Sequence, residues 1–290
     1  MNKANPSTTT IQTALRVAER KLFPLHETAR IDAEVLLAHG INRTRVYLHT
    51  WPEYMLSSEQ LDRFMSLIQR RAAGEPVAYL TGMREFWSLP MTVTHATLVP
   101  RPETEVLVEH ALSCIASDTD AHIADLGTGC GAIALAIASE RPASRVVATD
   151  IDTQALDVAR VNAEQLEITN VEFRQGDWFG PIRGECFHMI TSNPPYIGKH
   201  DPHVSQGDLR FEPRNALVAG LDGLEAIRII VSEAKAHLLL QGWLMVEHGD
   251  EQQANVMKLF SGEGYQNIRG ICDYAGHGRV VIGQYFPTQT

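Results

Sequence analysis

Leu61, Phe64, Met65 and Ile68 recur at i, i+3, i+4 and i+7 behind Ser57 and Gln60, which form a capping-box pair. That spacing predicts a helix with one face turned to a core. Ile11, Leu15, Ala18 and Leu22 keep a similar period, and Ala33, Leu36 and Leu37 predict another short helix. The pattern therefore predicts a small helical bundle over residues 1–74, ending near Gly74. From Arg84 to Pro100 the chain changes to short aromatic and β-branched pieces, REFWSL and MTVTHATLVP, with Pro90 between them. These predict a hairpin, so that residues 75–100 read as a β-hairpin linker. VPRPETEVLVEHAL then leads through a proline-containing turn into a helix with Glu103 and Glu105 in its first turn, where the helix dipole favours acids.

After His122 the pattern alternates. HIADL, RVVATD, VEFRQ, CFHMITS and WLMVEH read as strands, separated by helical stretches such as AIALAIASE, TQALDVARVNAEQ and DGLEAIRIIVSEAKAHLLL. That rhythm predicts an α/β domain over residues 101–290, built on a mostly parallel sheet covered on both faces. YQNIRGICDY and RVVIGQYF are joined only by AGHG, too short for a parallel crossover, so an antiparallel hairpin is expected at the last edge of the sheet.

The chain has 290 residues, enough for a large domain and a smaller one. No apolar run approaches the roughly 18 residues of a membrane span. MNKANPSTTT lacks the apolar stretch of a secretory signal and the arginines of a transit peptide, which makes the cytoplasm the expected location. Cys114, Cys130, Cys186 and Cys272 are too scattered for zinc or redox motifs and are expected as reduced thiols. The formal net charge of −10, with no basic block longer than Arg70-Arg71, weighs against long-range attraction to nucleic acid. His200, Asp201 and His203 in KHDPH read as a solvated loop, and no metal site is expected.

The candidate chemistry lies at the strand ends. ADLGTGCGAIALAIA runs from a strand through Gly127, Thr128, Gly129, Cys130 and Gly131 into a helix. Closely spaced glycines at such a turn let the backbone approach a ligand and leave helix N–H groups free. Gly127, Gly129 and Ala132 also satisfy G-x-G-x-x-[GA], so this loop alone leaves a nicotinamide dinucleotide open. Asp150, at the end of the next strand, is placed to accept from ribose hydroxyls in either case. Asp125, beside the glycines, would repel a pyrophosphate but attract a sulfonium, which favours S-adenosylmethionine. Asp177 and Trp178 follow the third strand, an acid for an adenine amine and an indole face for the ring.

In TSNPPYIGKH the two prolines end a strand and force the chain out of the sheet. An amide or amino nitrogen attacking a methyl group is a poor nucleophile, because its lone pair is delocalised. If Asn193 Oδ1 and the Pro194 carbonyl each accept one of its N–H bonds, the lone pair is aimed at the donor. Tyr196 can lie flat on a planar substrate group, and Pro195 stiffens the turn.

DLGTGCG, ATD, GDWF and SNPPY, in this order and spacing, resemble the class I S-adenosylmethionine-dependent methyltransferases of planar amide or amino nitrogens. With GMREFWSLP, LVPRPETE and LRFEPRNAL, nearly the whole chain resembles the PrmC/HemK family of protein-(glutamine-N5) methyltransferases; Ala219-Gly220 departs from an expected pair of glycines. The resemblance implies a Rossmann-like class I methyltransferase sheet and methylation of the glutamine in the Gly-Gly-Gln loop of peptide-chain release factors, with S-adenosyl-L-homocysteine as product. It also implies a helical domain that helps grip that partner. By motif position, Asn193 and Pro194 would hold the glutamine amide and Tyr196 would pack on it, with Pro195 in the same substrate-binding turn, while Gly127 to Gly131, Asp150 and Trp178 would bind the cofactor. Arg101, Glu103 and Glu212 are open between the rim of the site and loop-to-core salt bridges. Three rivals remain: an adenine-N6 DNA methyltransferase, an enzyme for a ribosomal-protein glutamine, and a non-catalytic adaptor.

Overall fold

The computed structural model describes residues 9–286. The amino-terminal stretch MNKANPST, part of the segment read for leader signals, lies outside them. The chain divides into two compact units, one up to Gly82 and one from Met83 onward.

In the first unit, helices α1 (Ile11–Leu22), α2 (Ala29–Gly40) and α4 (Ser58–Ala72) pack on one another, with the short α3 (Arg45–Thr50) against α2. The expected stripes supply the core: Ile11, Ala18, Leu22, Leu36, Leu37, Phe64 and Ile68 are buried, whereas Leu15, Leu61 and Met65 lie at its margin. The capping box forms, with Gln60 N–H donating to Ser57 Oγ at 3.2 Å and Ser57 N–H to Gln60 Oε1 at 3.0 Å. A bundle ending near Gly74 falls one helix short. Helix α5 (Val77–Thr81) packs on α2 and α4 and stops at Gly82, whose φ of 72° suits glycine.

The second unit begins with a hairpin of β1 (Met83–Phe86) and β2 (Leu89–Thr92). Its turn is Trp87-Ser88, at φ 52° and 59°, the left-handed pair that matches strand twist in a two-residue loop. Pro90, expected between the strands, lies within β2 opposite Glu85. Residues 93–101 leave the sheet instead of extending it. Asn162 fastens this hairpin to the rest of the unit: its Oδ1 accepts from Thr92 N–H at 2.7 Å, and its Nδ2 donates to the Thr92 carbonyl at 3.0 Å and the Cys130 carbonyl at 2.9 Å.

Helix α6 (Glu105–Cys114) precedes the sheet. Along the chain follow β3 (His122–Leu126), α7 (Ala132–Glu140), β4 (Arg145–Asp150), α8 (Thr153–Gln165), β5 (Val171–Gln175), β6 (Phe187–Ser192), α9 (Glu225–Glu233), β7 (Leu238–Glu247), α10 (Gln253–Gly262), β8 (Gln266–Cys272) and β9 (Gly278–Gln284). Among the described residues the sheet has seven strands in the order β5-β4-β3-β6-β7-β9-β8. Strands β5 to β7 in that row are parallel, and β9 and β8 join antiparallel at the edge. Leu238 to Leu240, expected to end a helix, begin β7: Leu238 is buried and pairs with Phe187 of β6, while Leu239 and Leu240 are exposed where the register between β6 and β7 shifts.

The order reverses between β3 and β6. Connections from β3 run outward through β4 to β5, and the chain then returns to lay β6 on the other side of β3. Carboxyl ends of strands flanking such a switch point open a crevice in which ligands of open α/β sheets bind.

Candidate active site

The crevice is real and is lined by the motifs. An open crevice is bounded by Gly127 to Cys130, Asp150, Asp177, Trp178, Asn193 and Pro195, with the 96–104 segment and Asn215 on its other walls. Strand β3 delivers the glycine loop, β4 delivers Asp150, the end of β5 delivers Asp177 and Trp178, and β6 delivers Asn193 and Pro195.

The glycines are required by conformation. Gly127, Gly129 and Gly131 have φ of 70°, 57° and 87°, where a side chain is strained. A Cβ on Gly129 would meet nothing within 4 Å and would project into open space, whereas one on Gly131 would lie 3.0 Å from Leu135 Cδ1 and 3.2 Å from Ala159 Cβ. Gly129 therefore leaves room for a ligand, and Gly131 leaves room for helix packing.

Asp150 ties this loop to its own strand. Its Oδ2 accepts from Gly129 N–H at 2.8 Å and its Oδ1 from Asp152 N–H at 2.9 Å. Burial raises its pKa, and those two N–H donors hold it back. Asp125 does not line the cavity. It is 1% exposed and lies behind the loop, its Oδ2 accepting from Thr128 Oγ1 at 2.7 Å and its Oδ1 from Thr191 Oγ1 at 3.0 Å. Burial pushes its carboxyl up to about 7 against those hydroxyl donors. Cys130 is buried and its thiol is pushed up to about 12, so it lines the loop as an unreactive apolar group.

At the end of β6, Asn193 Nδ2 donates to Thr104 Oγ1 at 3.3 Å, while Pro194 is buried. Tyr196 does not bound the cavity: its ring packs against the core, its Oη donates to Glu247 Oε1 at 3.5 Å, and its carbonyl accepts from Gln252 Nε2 at 2.9 Å. Burial, and then the Glu247 carboxylate, raise its phenol pKa. Gly223 makes this turn fit, since a Cβ there would stand 2.2 Å from the Tyr196 carbonyl oxygen. Thr104 and Glu247, which touch Asn193 and Tyr196, escaped the sequence reading; LVPRPETE and the acid closing WLMVEH were the signals that could have found them.

Of the unsettled residues, Arg101 pairs with Glu212, whose Oε2 also accepts Val99 N–H at 3.2 Å. Glu212 thereby clasps the 99–101 wall of the cavity to the segment after the NPPY turn. Glu103 is exposed. His203 and Asp201 close a local turn, Asp201 Oδ1 accepting from His203 N–H at 2.9 Å. Among the described residues no group of three or more His, Cys, Asp or Glu is placed to hold a metal ion. Nor is any of their helices long and apolar enough to cross a membrane.

Comparison with known proteins gives this arrangement its relatives. Residues 13–82 match the family model for the PrmC N-terminal domain, and residues 102–208 match that for the methyltransferase small domain. A release factor glutamine methyltransferase of Aliivibrio fischeri is 50% identical over 260 residues, covering 89% of this chain and 91% of that protein. The one of Vibrio cholerae is 49% identical over 278 residues, 95% of this chain and 97% of that protein. In fold, the crystal structure of a methyltransferase from Pyrococcus furiosus matches with a TM-score of 0.52 at 21% identity, over 77% of this chain and 98% of that one. With half of its residues shared along nearly the full length of such relatives, the chain belongs to the family of release factor glutamine methyltransferases.

Proposed function

We infer that this chain transfers a methyl group from S-adenosylmethionine to the side-chain amide nitrogen of the glutamine in the Gly-Gly-Gln loop of peptide-chain release factors. The observation that carries this is the convergence of two motifs on one cavity: the glycine loop with Asp150 on one side, Asn193 and Pro195 on the other. Family membership names the acceptor, and the helical unit is the candidate grip for it. That unit exposes Phe23, Val46 and Trp51, large apolar side chains of the kind that partner surfaces use. The cytoplasm, where release factors work, is the location this reading requires.

The residues present fit the cofactor. Gly129 leaves open space at the loop, Asp150 faces the cavity with a carboxylate for ribose hydroxyls, and Trp178 offers an apolar face beside Asp177. Bound there, S-adenosylmethionine supplies an electrophilic methyl group on a positively charged sulfur. Asn193 and Pro194 supply what the glutamine amide lacks. Asn193 Oδ1 and the Pro194 carbonyl each accept one of its N–H bonds, which turns the nitrogen's remaining electron density toward the donor. Positioning of this kind can remove up to about 7–11 kcal/mol of a barrier. Tyr196 and Pro195 keep the turn in one conformation, so the acceptors are in place before substrate arrives. The proton that leaves the alkylated nitrogen starts on a hydrogen bond to one of these oxygens and passes to water.

The test offers labelled S-adenosylmethionine with three acceptors in parallel: an unmethylated release factor, the same protein with Gly-Gly-Ala in its loop, and duplex DNA. Label on the first alone is expected. Label on DNA would replace this reading with an adenine methyltransferase. Label on the Gly-Gly-Ala protein would move the acceptor to another residue.

A further inference from the structure

Pro194 and Pro195 have no N–H to donate, so the NPPY turn is held through its carbonyls and its side chains. The Tyr196 carbonyl is held by Gln252, whose carboxamide bridges three segments. Its Nε2 donates to the Tyr196 carbonyl at 2.9 Å and to the Asp222 carbonyl at 3.4 Å, while its Oε1 accepts from Gly249 N–H at 2.9 Å. Gly223 leaves the space that this joint occupies. A Cβ there, at φ 76°, would stand 2.2 Å from the Tyr196 carbonyl oxygen and 2.8 Å from Gln252 Nε2.

All three partners are backbone groups, which fixes the direction of every bond. A backbone N–H only donates and a carbonyl only accepts, so one orientation of the carboxamide satisfies all three. The base of the side chain is anchored as well. Gln252 N–H donates to the Gly249 carbonyl at 2.9 Å, and its carbonyl accepts from Val256 N–H at 3.0 Å as α10 begins. His248, which follows β7, donates its N–H to the Arg279 carbonyl of β9 at 2.9 Å and ties this loop to the sheet. Although Gln252 stands at the start of α10, its side chain makes no capping bond to that helix. It reaches away from the helix, to a carbonyl just beyond Asn193 and Pro194 in the chain, and it does not line the crevice itself.

We propose that Gln252 is a positioning residue for methyl transfer: by holding the Tyr196 carbonyl it keeps the NPPY turn in the conformation that points Asn193 Oδ1 and the Pro194 carbonyl at the acceptor amide. The proposal rests on the functional reading above and deepens it. Gln252 acts through the turn and touches neither the glutamine nor the cofactor. A turn released from it moves both acceptors relative to the donor methyl, and a misplacement on the order of 1 Å in such a geometry can cost about 100-fold in rate.

The test uses two variants. Gln252→Met keeps the length of the side chain and removes all three bonds. Gln252→Glu keeps its shape and still accepts Gly249 N–H, but it sets a carboxylate oxygen against two carbonyls. The quantities read are kcat and KM with a release factor, the Kd and stoichiometry for S-adenosylhomocysteine, and the melting temperature. A residue that served only the helix and one that grips the turn predict opposite orders. An acid is favoured at a helix N-terminus, so service to α10 alone would make Gln252→Glu the more stable and the more active variant. A donor to the Tyr196 carbonyl makes it the less active one. The expected kcat is about 100-fold below wild type for Gln252→Glu and about tenfold below for Gln252→Met, with KM within about threefold in both. The S-adenosylhomocysteine Kd should stay within about twofold and the stoichiometry should be unchanged, because the cofactor side of the crevice is untouched.

Unchanged kcat in both variants, a Gln252→Glu more active than Gln252→Met, or a parallel loss of S-adenosylhomocysteine affinity or stoichiometry would overturn the proposal. If Gln252→Glu does not fold, Gln252→Met decides: a lowered kcat at full stoichiometry supports the role, and wild-type kcat refutes it. Failure of both to fold would assign Gln252 to the fold and refute the role. The wild-type arm separates the two levels of inference. Wild type that methylates no release factor refutes the functional reading, whereas an active wild type beside unimpaired variants refutes only the role of Gln252.

Discussion

Replacing Asp150 with asparagine removes one acceptor from the turn that carries the glycine loop. The carboxylate takes Gly129 N–H at 2.8 Å and Asp152 N–H at 2.9 Å, each on its own oxygen. Asparagine keeps one oxygen, so one of these N–H groups must face an NH2. Hydrogen bonds to a charged acceptor contribute about 1.5–3 kcal/mol, and a buried donor left without a partner costs about 1–3 kcal/mol. An offset exists in stability: burial already disfavours the ionised form of Asp150, and the neutral amide escapes that penalty. The ligand-free melting temperature should therefore move by no more than about 4 °C, the equivalent of about 1 kcal/mol in a chain of this size. Binding has no such offset, because the loop loses its tether and the ribose loses its acceptor. S-adenosylmethionine and S-adenosylhomocysteine should both bind about 5- to 150-fold more weakly, which corresponds to about 1–3 kcal/mol. Calorimetric titration with both ligands, beside thermal denaturation of the free protein, reads the two effects separately. A large fall in melting temperature with unchanged affinity would refute the reasoning, since Asp150 would then serve the fold and not the ligand.

Asp125 should behave differently. With its carboxyl near 7, the ionised fraction rises across neutrality, so affinity for the cationic S-adenosylmethionine should strengthen by up to about tenfold between pH 6 and pH 8. S-adenosylhomocysteine, which lacks the sulfonium, should change little, and Asp125→Asn should flatten the difference; parallel pH curves for the two ligands would contradict this. Gly131→Ala should destabilise by about 2–5 kcal/mol, from left-handed strain and crowding against Leu135 and Ala159. Gly129→Ala should cost only the strain of about 1–2 kcal/mol but obstruct the cofactor, so the pair splits between thermal denaturation and ligand titration. Glu212→Ala should destabilise by about 1–3 kcal/mol, because Val99 N–H loses its acceptor, and urea unfolding measures it.

What the sequence made legible was local. The short run RVVATD, rich in β-branched residues and followed by turn residues, reads as a strand, and glycines at positive φ mark the loop whether or not a ligand is known. A capping box is written in residues three apart, and it formed. The misreadings share a cause, which is partner choice at a distance. Leu238 looks helical until β6 takes it into the ladder opposite Phe187. Pro90 looks like a turn until the left-handed Trp87-Ser88 pair is seen to close the hairpin ahead of it, with Trp87 N–H donating to Glu105 Oε1 at 2.9 Å. Thr104 and Glu247 meet Asn193 and Tyr196 only because β6 and β7 are neighbours and the 102–104 turn folds over their ends. No spacing in the chain encodes that meeting. The position of Glu247, an acid closing a central strand at the same edge as Asp125 and Asp150, was its one visible sign.

The most direct measurement of the central claim is site localisation. An unmethylated release factor is incubated with this protein and S-adenosylmethionine, digested, and the gain in mass located by fragmentation, with Asn193→Ala run beside it. A single methyl group on the side-chain nitrogen of the Gly-Gly-Gln glutamine, absent with Asn193→Ala even though that variant still binds the cofactor, is the predicted result. A methyl group on any other residue, or equal transfer by Asn193→Ala, would contradict the account.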